Sequence, residues 1–248
     1  MKTRIIRAEV IGSMLRPKFL LDAQTQFKEG KLTPLEFIKL EDKAIKQAVA
    51  IQEKVGVDVL TDGEMRRPVF CHNFVQAVDG FKWSIKGNTV IWFDMQGNKI
   101  LDPVTVGVVK KLHKKNDISV DEFSFLRGIT DRPTKVTIPS PTMMSYYFVP
   151  GISDKIYKSP LDFLKEVTKI LKESVLELEK IGVTYIQIDA PEFGMLLDPI
   201  QQDWFRAKGL NPDTLISDGI KMINEVVEDF SGTTGLHICR GNDKNRFM

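Results

Sequence analysis

A chain of 248 residues, 42% hydrophobic and 27% charged, can bury a core as one large domain or two small ones. Its formal net charge of +2 is too small to call for nucleic acid or an anionic membrane as partner. No apolar run reaches the roughly 18 residues of a spanning helix, the basic N-terminus lacks an apolar h-region, and two cysteines, Cys71 and Cys239, make no disulfide framework, so a cytoplasmic protein is expected.

Short β-branched runs alternate with amphipathic stretches. A strand is expected at 7–13, then helices at 17–30 and 33–56. In the second helix Leu35, Ile38, Ala44, Ile45, Ala48, Ile51 and Val55 keep near-helical spacing, with Thr33 as N-cap, Pro34 at N1 and Gly56 as stop. A buried strand follows at 57–64. The alternating stretch 82–100, with Lys-Gly-Asn and Gln-Gly-Asn turns, reads as a β-hairpin inserted after strand 2. Further strands are expected at 104–112, 134–144, 183–191 and 234–242, and helices at 119–130, 159–182 and 211–230.

Alternating strands and helices with right-handed crossovers predict a parallel sheet covered by helices. The strands end in polar groups: "GS", "DGE", "PSP", "DAPE" and "HICRGN". Chemistry gathered at strand C-termini predicts an α/β fold of (β/α)8 TIM-barrel type. A doubly wound sheet would place its site there too, but no Gly-rich nucleotide loop is present. About six strands are counted, so the expectation over 1–248 is one incomplete barrel domain, cut after its sixth strand. The rival is a six-stranded open sheet.

His237 and Cys239 lie at i and i+2 of the last strand and so share a face. Both are zinc-ligand types, and a catalytic zinc takes three protein ligands. Equally, they read as core residues, since cysteine is often a small buried hydrophobe. Cys71 and His72 are adjacent and point opposite ways, so they do not complete a site. Asp62 and Glu64, with Arg66 and Arg67 behind them, suit an amine together with a carboxylate, or a self-paired loop. Asp189, after an apolar strand, is either functional or a turn cap. Ser13, followed by Arg16, is a ligand contact or a cap. Tyr146, Tyr147 and Phe148 suit either a flat ligand or the core.

The stretches "RAEVIGSMLRP" (7–17), "EDKAIKQAVAIQEKVGVDVLTDGEMRR" (41–67), "YIQIDAPEF" (185–193) and "GLHICRGN" (235–242) resemble the catalytic domain of cobalamin-independent methionine synthase, and still more its short single-barrel relatives. The resemblance implies a TIM barrel that moves a methyl group from a methyltetrahydrofolate-type donor to the thiol of homocysteine, with Zn2+ holding the sulfur as thiolate. It implies His237 and Cys239 as zinc ligands. It implies Ile11, Gly12, Ser13, Glu64 and Asp189 around the amino-acid part, with Arg16 nearby and Tyr146 or Tyr147 against the donor. The family's remaining ligands, a glutamate and a second cysteine, are expected beyond residue 248. The family's Asp-Glu-Pro is Asp-Ala-Pro here, with Ala190 in the middle. Related barrels alkylate other thiols, so the acceptor stays open, as does homo-oligomerisation. Two alternatives stand beside this reading: a metal-free barrel resembling uroporphyrinogen decarboxylase, and an inactive fragment lacking the last zinc ligands.

Overall fold

The computed structural model describes residues 7–85, 89–239 and 241. The Lys-Gly-Asn turn expected at 86–88, Arg240 and Asn242 lie outside the described residues. Helix α1 spans Lys18–Lys28 and α2 spans Pro34–Val55. The Thr33 hydroxyl accepts the Glu36 N–H while the Glu36 carboxylate accepts the Thr33 N–H, a reciprocal cap that starts α2 at its proline. Gly56, at φ 76°, ends it where a side chain would be strained. Leu20, Ala44, Ile45, Ala48, Val49 and Leu60 make a small core between these helices and the strand they cover.

After that strand come α3 (His72–Ala77), β1 (Val78–Trp83), β2 (Thr89–Phe93), β3 (Lys99–Pro103), β4 (Val106–Lys114) and α4 (Val120–Arg127). Then follow β5 (Val136–Pro139), a 3-10 helix (Thr142–Tyr147), α5 (Pro160–Lys180), β6 (Tyr185–Asp189), α6 (Glu192–Met195), α7 (Pro199–Ala207), α8 (Pro212–Val227) and β7 (Thr233–His237). Strands β5, β6 and β7 pair in parallel in that order. Single parallel bridges, Glu9 to Val59 and Leu60 to Thr134, add two more staves in front of them. The parallel staves follow one another in chain order, as right-handed βαβ units require.

Five staves, not six, are therefore present among the described residues. The segment expected as a third stave, 104–112, instead pairs antiparallel with β1 as β4. The reason is visible in its burial. Strand β5 is buried throughout, as a stave between two layers must be, whereas β4 is buried over its first three residues and then carries exposed lysines. The excursion expected over 82–100 is wider than that: β2 pairs with β3 inside the β1–β4 ladder. Gln201 and Trp204 of α7 donate to the carbonyls of Ile91 and Thr89 and seat β2 on that helix. Among the described residues β7 pairs only with β6, and no barrel closes. Leu236 and Ile238 are about half exposed on that strand's uncovered face.

Candidate functional site

The turn after the second stave holds two successive residues in the left-handed region. Gly63 has φ 69° and Glu64, a non-glycine, has φ 56°; such a residue persists only where its surroundings over-determine it. They do so here. The Asp62 carboxylate accepts the Glu64 N–H at 2.9 Å, and an Arg16 guanidinium N–H donates to the Glu64 carbonyl at 3.0 Å. The Glu64 side chain, 1% exposed, accepts from the Ser13 hydroxyl, from Thr137 at 2.7 Å and from Arg67 at 3.4 Å. Gly12 lies against the same carboxylate: a Cβ there would sit 3.6 Å from Oε1.

Arg67 is the hub beneath. It grips Glu122 through Nε at 2.9 Å and Nη2 at 2.7 Å, and donates to Thr137, Ser119 and the Phe70 carbonyl. Burial is the largest single influence on the Glu122 carboxyl and would push it up; the Arg67 charge, the hydrogen bonds from Arg67 and Ser119 and the Arg66 charge together outweigh it and hold that carboxyl below its ordinary range. Arg66 faces away, to Asp42 and Glu41 on α2. Arg16, expected as a substrate contact, spends its guanidinium on the carbonyls of Glu64 and Arg67 and braces the turn.

A second cluster lies at the ends of β6 and β7. Asp189, 5% exposed, accepts from Gln187 Nε2 at 2.6 Å and faces His237 Nδ1 at 2.9 Å. Gln187 Nε2 also donates to the Ile11 carbonyl at 2.7 Å, and Lys135 Nζ joins Gln187 to Glu9. The segment Ile11–Ser13 is thus held between two acids, Glu64 through Ser13 and Asp189 through Gln187. His237 and Cys239 are half-buried while Leu236 and Ile238 alternate with them in the open, so the two ligand types share the inner face. The Cys239 sulfur accepts the Gly241 N–H at 3.3 Å. No group of three or more His, Cys, Asp or Glu able to hold a metal gathers among the described residues. What is present fits part of a zinc site: an imidazole whose Nδ1 is taken by a carboxylate, leaving Nε2 for a metal, and a thiol two residues on.

Tyr147, expected against the donor, contacts Cys71 and Phe81. It is buried, its hydroxyl 3.1 Å from the Cys71 sulfur and its ring edge-on to Phe81. Burial pushes the Cys71 thiol up to about 12, and the His72 imidazole beside it down to about 4. Tyr146 is buried as well, its hydroxyl on Met195 and its ring against Trp204.

Sequence reasoning missed Thr137 and Gln187, the donors to the two acids. Gln187 had a signal: a polar residue two before Asp189 shares its face. It also missed Glu192, fully buried, which accepts from Ser140 and Thr142 at 2.5 Å each. Burial pushes the Glu192 carboxyl up to about 7 against those donors. A folded carboxyl raised in this way loses stability as pH climbs from about 4.5 to 7, because the unfolded chain ionises first. Glu192→Gln cannot ionise. The stability gap between variant and wild type should therefore move by about 2–3 kcal/mol in the variant's favour between pH 4.5 and 8. Urea titrations at a series of pH values would measure it, and parallel curves would count against a raised carboxyl.

The sequence profile described as "Cobalamin-independent synthase, Catalytic domain" matches residues 6–207. Among similar proteins, an uncharacterized protein of Bacillus subtilis, YxjH, is 28% identical over 95% of this chain and 62% of its own length. A methionine synthase of Saccharolobus solfataricus is 28% identical over 97% of this chain and 64% of its own. The structure resembles a B12-independent methionine synthase from Shewanella sp. W3-18-1, solved in complex with selenomethionine, with a TM-score of 0.72 and 26% identity over 95% of this chain and 62% of that one. The chain thus spans just under two thirds of the length of these relatives. No helix among the described residues is long and apolar enough to cross a membrane. The match over residues 6–207 and the shared α/β architecture place this chain in the cobalamin-independent synthase catalytic-domain family.

Proposed function

We propose that this chain carries the amino-acid side of a methyltransferase site of TIM-barrel type, one that binds homocysteine and releases methionine. The bracket around Ile11–Ser13 supports this reading most directly: two buried acids reach one short backbone segment, Glu64 through Ser13 and Asp189 through Gln187. An ammonium group is the natural ligand for such a pair, since each acid is already oriented by neutral donors, Glu64 with Arg67 at 3.4 Å besides, and keeps acceptor capacity. Ser13 and the backbone of Ile11 and Gly12 line the same place and would meet the ligand's carboxylate end.

His237 and Cys239 would hold zinc, with the remaining ligands outside the described residues. When bound, zinc supplies a Lewis acid that keeps the acceptor sulfur deprotonated near neutral pH. The chain's own residues then orient the reactants. Asp189 fixes the His237 ring through Nδ1, and Glu64 with Asp189 anchors the amine so that the sulfur points at the donor. In the transfer a sulfur lone pair forms the S–CH3 bond as the N–CH3 bond of the donor breaks. The bonding pair stays on nitrogen, which takes one proton. A methyltetrahydrofolate-type donor is proposed from the family resemblance; the two buried tyrosines do not define its place.

Titration calorimetry of the chain with L-methionine tests this reading. Binding is expected to need both ends of the amino acid, so deaminated methionine should bind at least about tenfold more weakly. Equal binding of the two, or none of either, would remove the amino-acid reading and favour an inert fragment.

A further inference from the structure

Asp62 is buried at the base of the Glu64 turn. Its Oδ1 accepts the Glu64 N–H at 2.9 Å across Gly63. Its Oδ2 has no hydrogen-bond partner and is shielded from solvent. The residue borders a cavity of about 10 Å3, also lined by Arg67, Glu122 and Lys135, room for about one water molecule. The Thr61 hydroxyl accepts the Gly63 N–H at 3.1 Å, so both amides of the turn are held by side chains from the stave end. The Arg16 guanidinium holds the Glu64 carbonyl. Glu64 is the non-glycine of this turn in the left-handed region, where such a side chain is disfavoured; Asp62 holds its N–H and Arg16 its carbonyl.

We propose that Asp62 is a positioning residue for amine recognition: it holds Glu64 in its left-handed backbone conformation, and that conformation gives the site its affinity for the ammonium group of an amino acid. This rests on the reading of Glu64 given under Proposed function. Without the Asp62 acceptor, the turn relaxes toward ordinary backbone angles, and the Glu64 carboxylate swings off Ser13 and Thr137. The requirement is for an acceptor at Oδ1, which an amide oxygen also supplies, and not for negative charge.

Calorimetry with L-methionine on wild type, E64Q, D62A and D62N separates the possibilities. E64Q and D62A are each expected to weaken binding about tenfold or more, and D62N to bind within about twofold of wild type. Deaminated methionine, which lacks the ammonium group, should bind all four proteins alike. Thermal unfolding of D62N alongside wild type shows that the rescue is read on a folded chain. D62A binding methionine as wild type does, with E64Q impaired, would overturn the role of Asp62 and leave the amino-acid reading intact. Equal loss in D62A and D62N would overturn it too, since charge would then be what matters. E64Q binding normally, or wild type not binding methionine, would overturn the amino-acid reading and this inference together.

Discussion

Replacing Arg67 by methionine is expected to destabilise the fold by about 3–5 kcal/mol, the range for removing one member of a buried ion pair. The guanidinium is 2% exposed and donates to five groups: Glu122, Thr137, Ser119, Glu64 and the Phe70 carbonyl. Without it two carboxylates at one stave end lose their shared cation. Glu64 keeps Ser13 and Thr137, but Glu122 loses the guanidinium that meets its charge at 2.7 Å. Removing the second acid should therefore recover much of the loss. The double variant Arg67→Met with Glu122→Leu is expected to be more stable than Arg67→Met alone, because it removes one of the two carboxylates left without their cation, while Glu64 keeps the neutral donors Ser13 and Thr137. Urea unfolding of the four proteins of this cycle gives the coupling directly, and an unchanged urea slope would confirm that stability, not compactness, moved. A cost under about 1 kcal/mol for Arg67→Met would show that the turn stands without its hub.

How far the sequence reaches depends on whether a signal is local. The helices α2, α5 and α8 were readable because each begins at a capping residue followed by proline, Thr33, Ser159 and Asn211 in turn. That chemistry is complete within four residues. The strand at 106–114 was readable as a strand and unreadable as a stave, because its β-branched run does not say which partner it will meet. The staves at 9 and 59 are short bridges whose existence depends on each other and on Thr134, not on propensity. At the site, Glu64 and Asp189 stood out as acids closing apolar strands. Of their donors Ser13 and Arg67 stood out too, but Thr137 did not, since it lies 73 residues from Glu64 in sequence and an isolated threonine carries no pattern. Arg16 and Tyr147 show the other limit of local signals. Each was singled out by type and neighbourhood, yet one braces a turn and the other packs against Phe81 and Cys71, choices that only tertiary contacts make.

The largest effect on binding is expected from Glu64→Gln together with Asp189→Asn. If one ammonium group lies between the two acids, each substitution alone should weaken methionine binding by about 2–3 kcal/mol, the scale of a hydrogen bond to a charged group in a buried site. The two losses should not add. Once either acid is gone the ammonium is under-compensated and the pose relaxes, so the second substitution has less left to remove. The double variant should then fall short of the summed losses by about 1 kcal/mol or more. Asp189→Asn has a further consequence that Glu64→Gln lacks, because Asp189 also faces His237 Nδ1. An amide at that position can present its oxygen to the ring N–H or its NH2 to a bare ring nitrogen, so the tautomer is no longer dictated. Nitrogen chemical shifts of the His237 ring should therefore change in Asp189→Asn and stay put in Glu64→Gln. Additive losses with an unchanged His237 ring would place the two acids around separate ligands and dissolve the shared amine site.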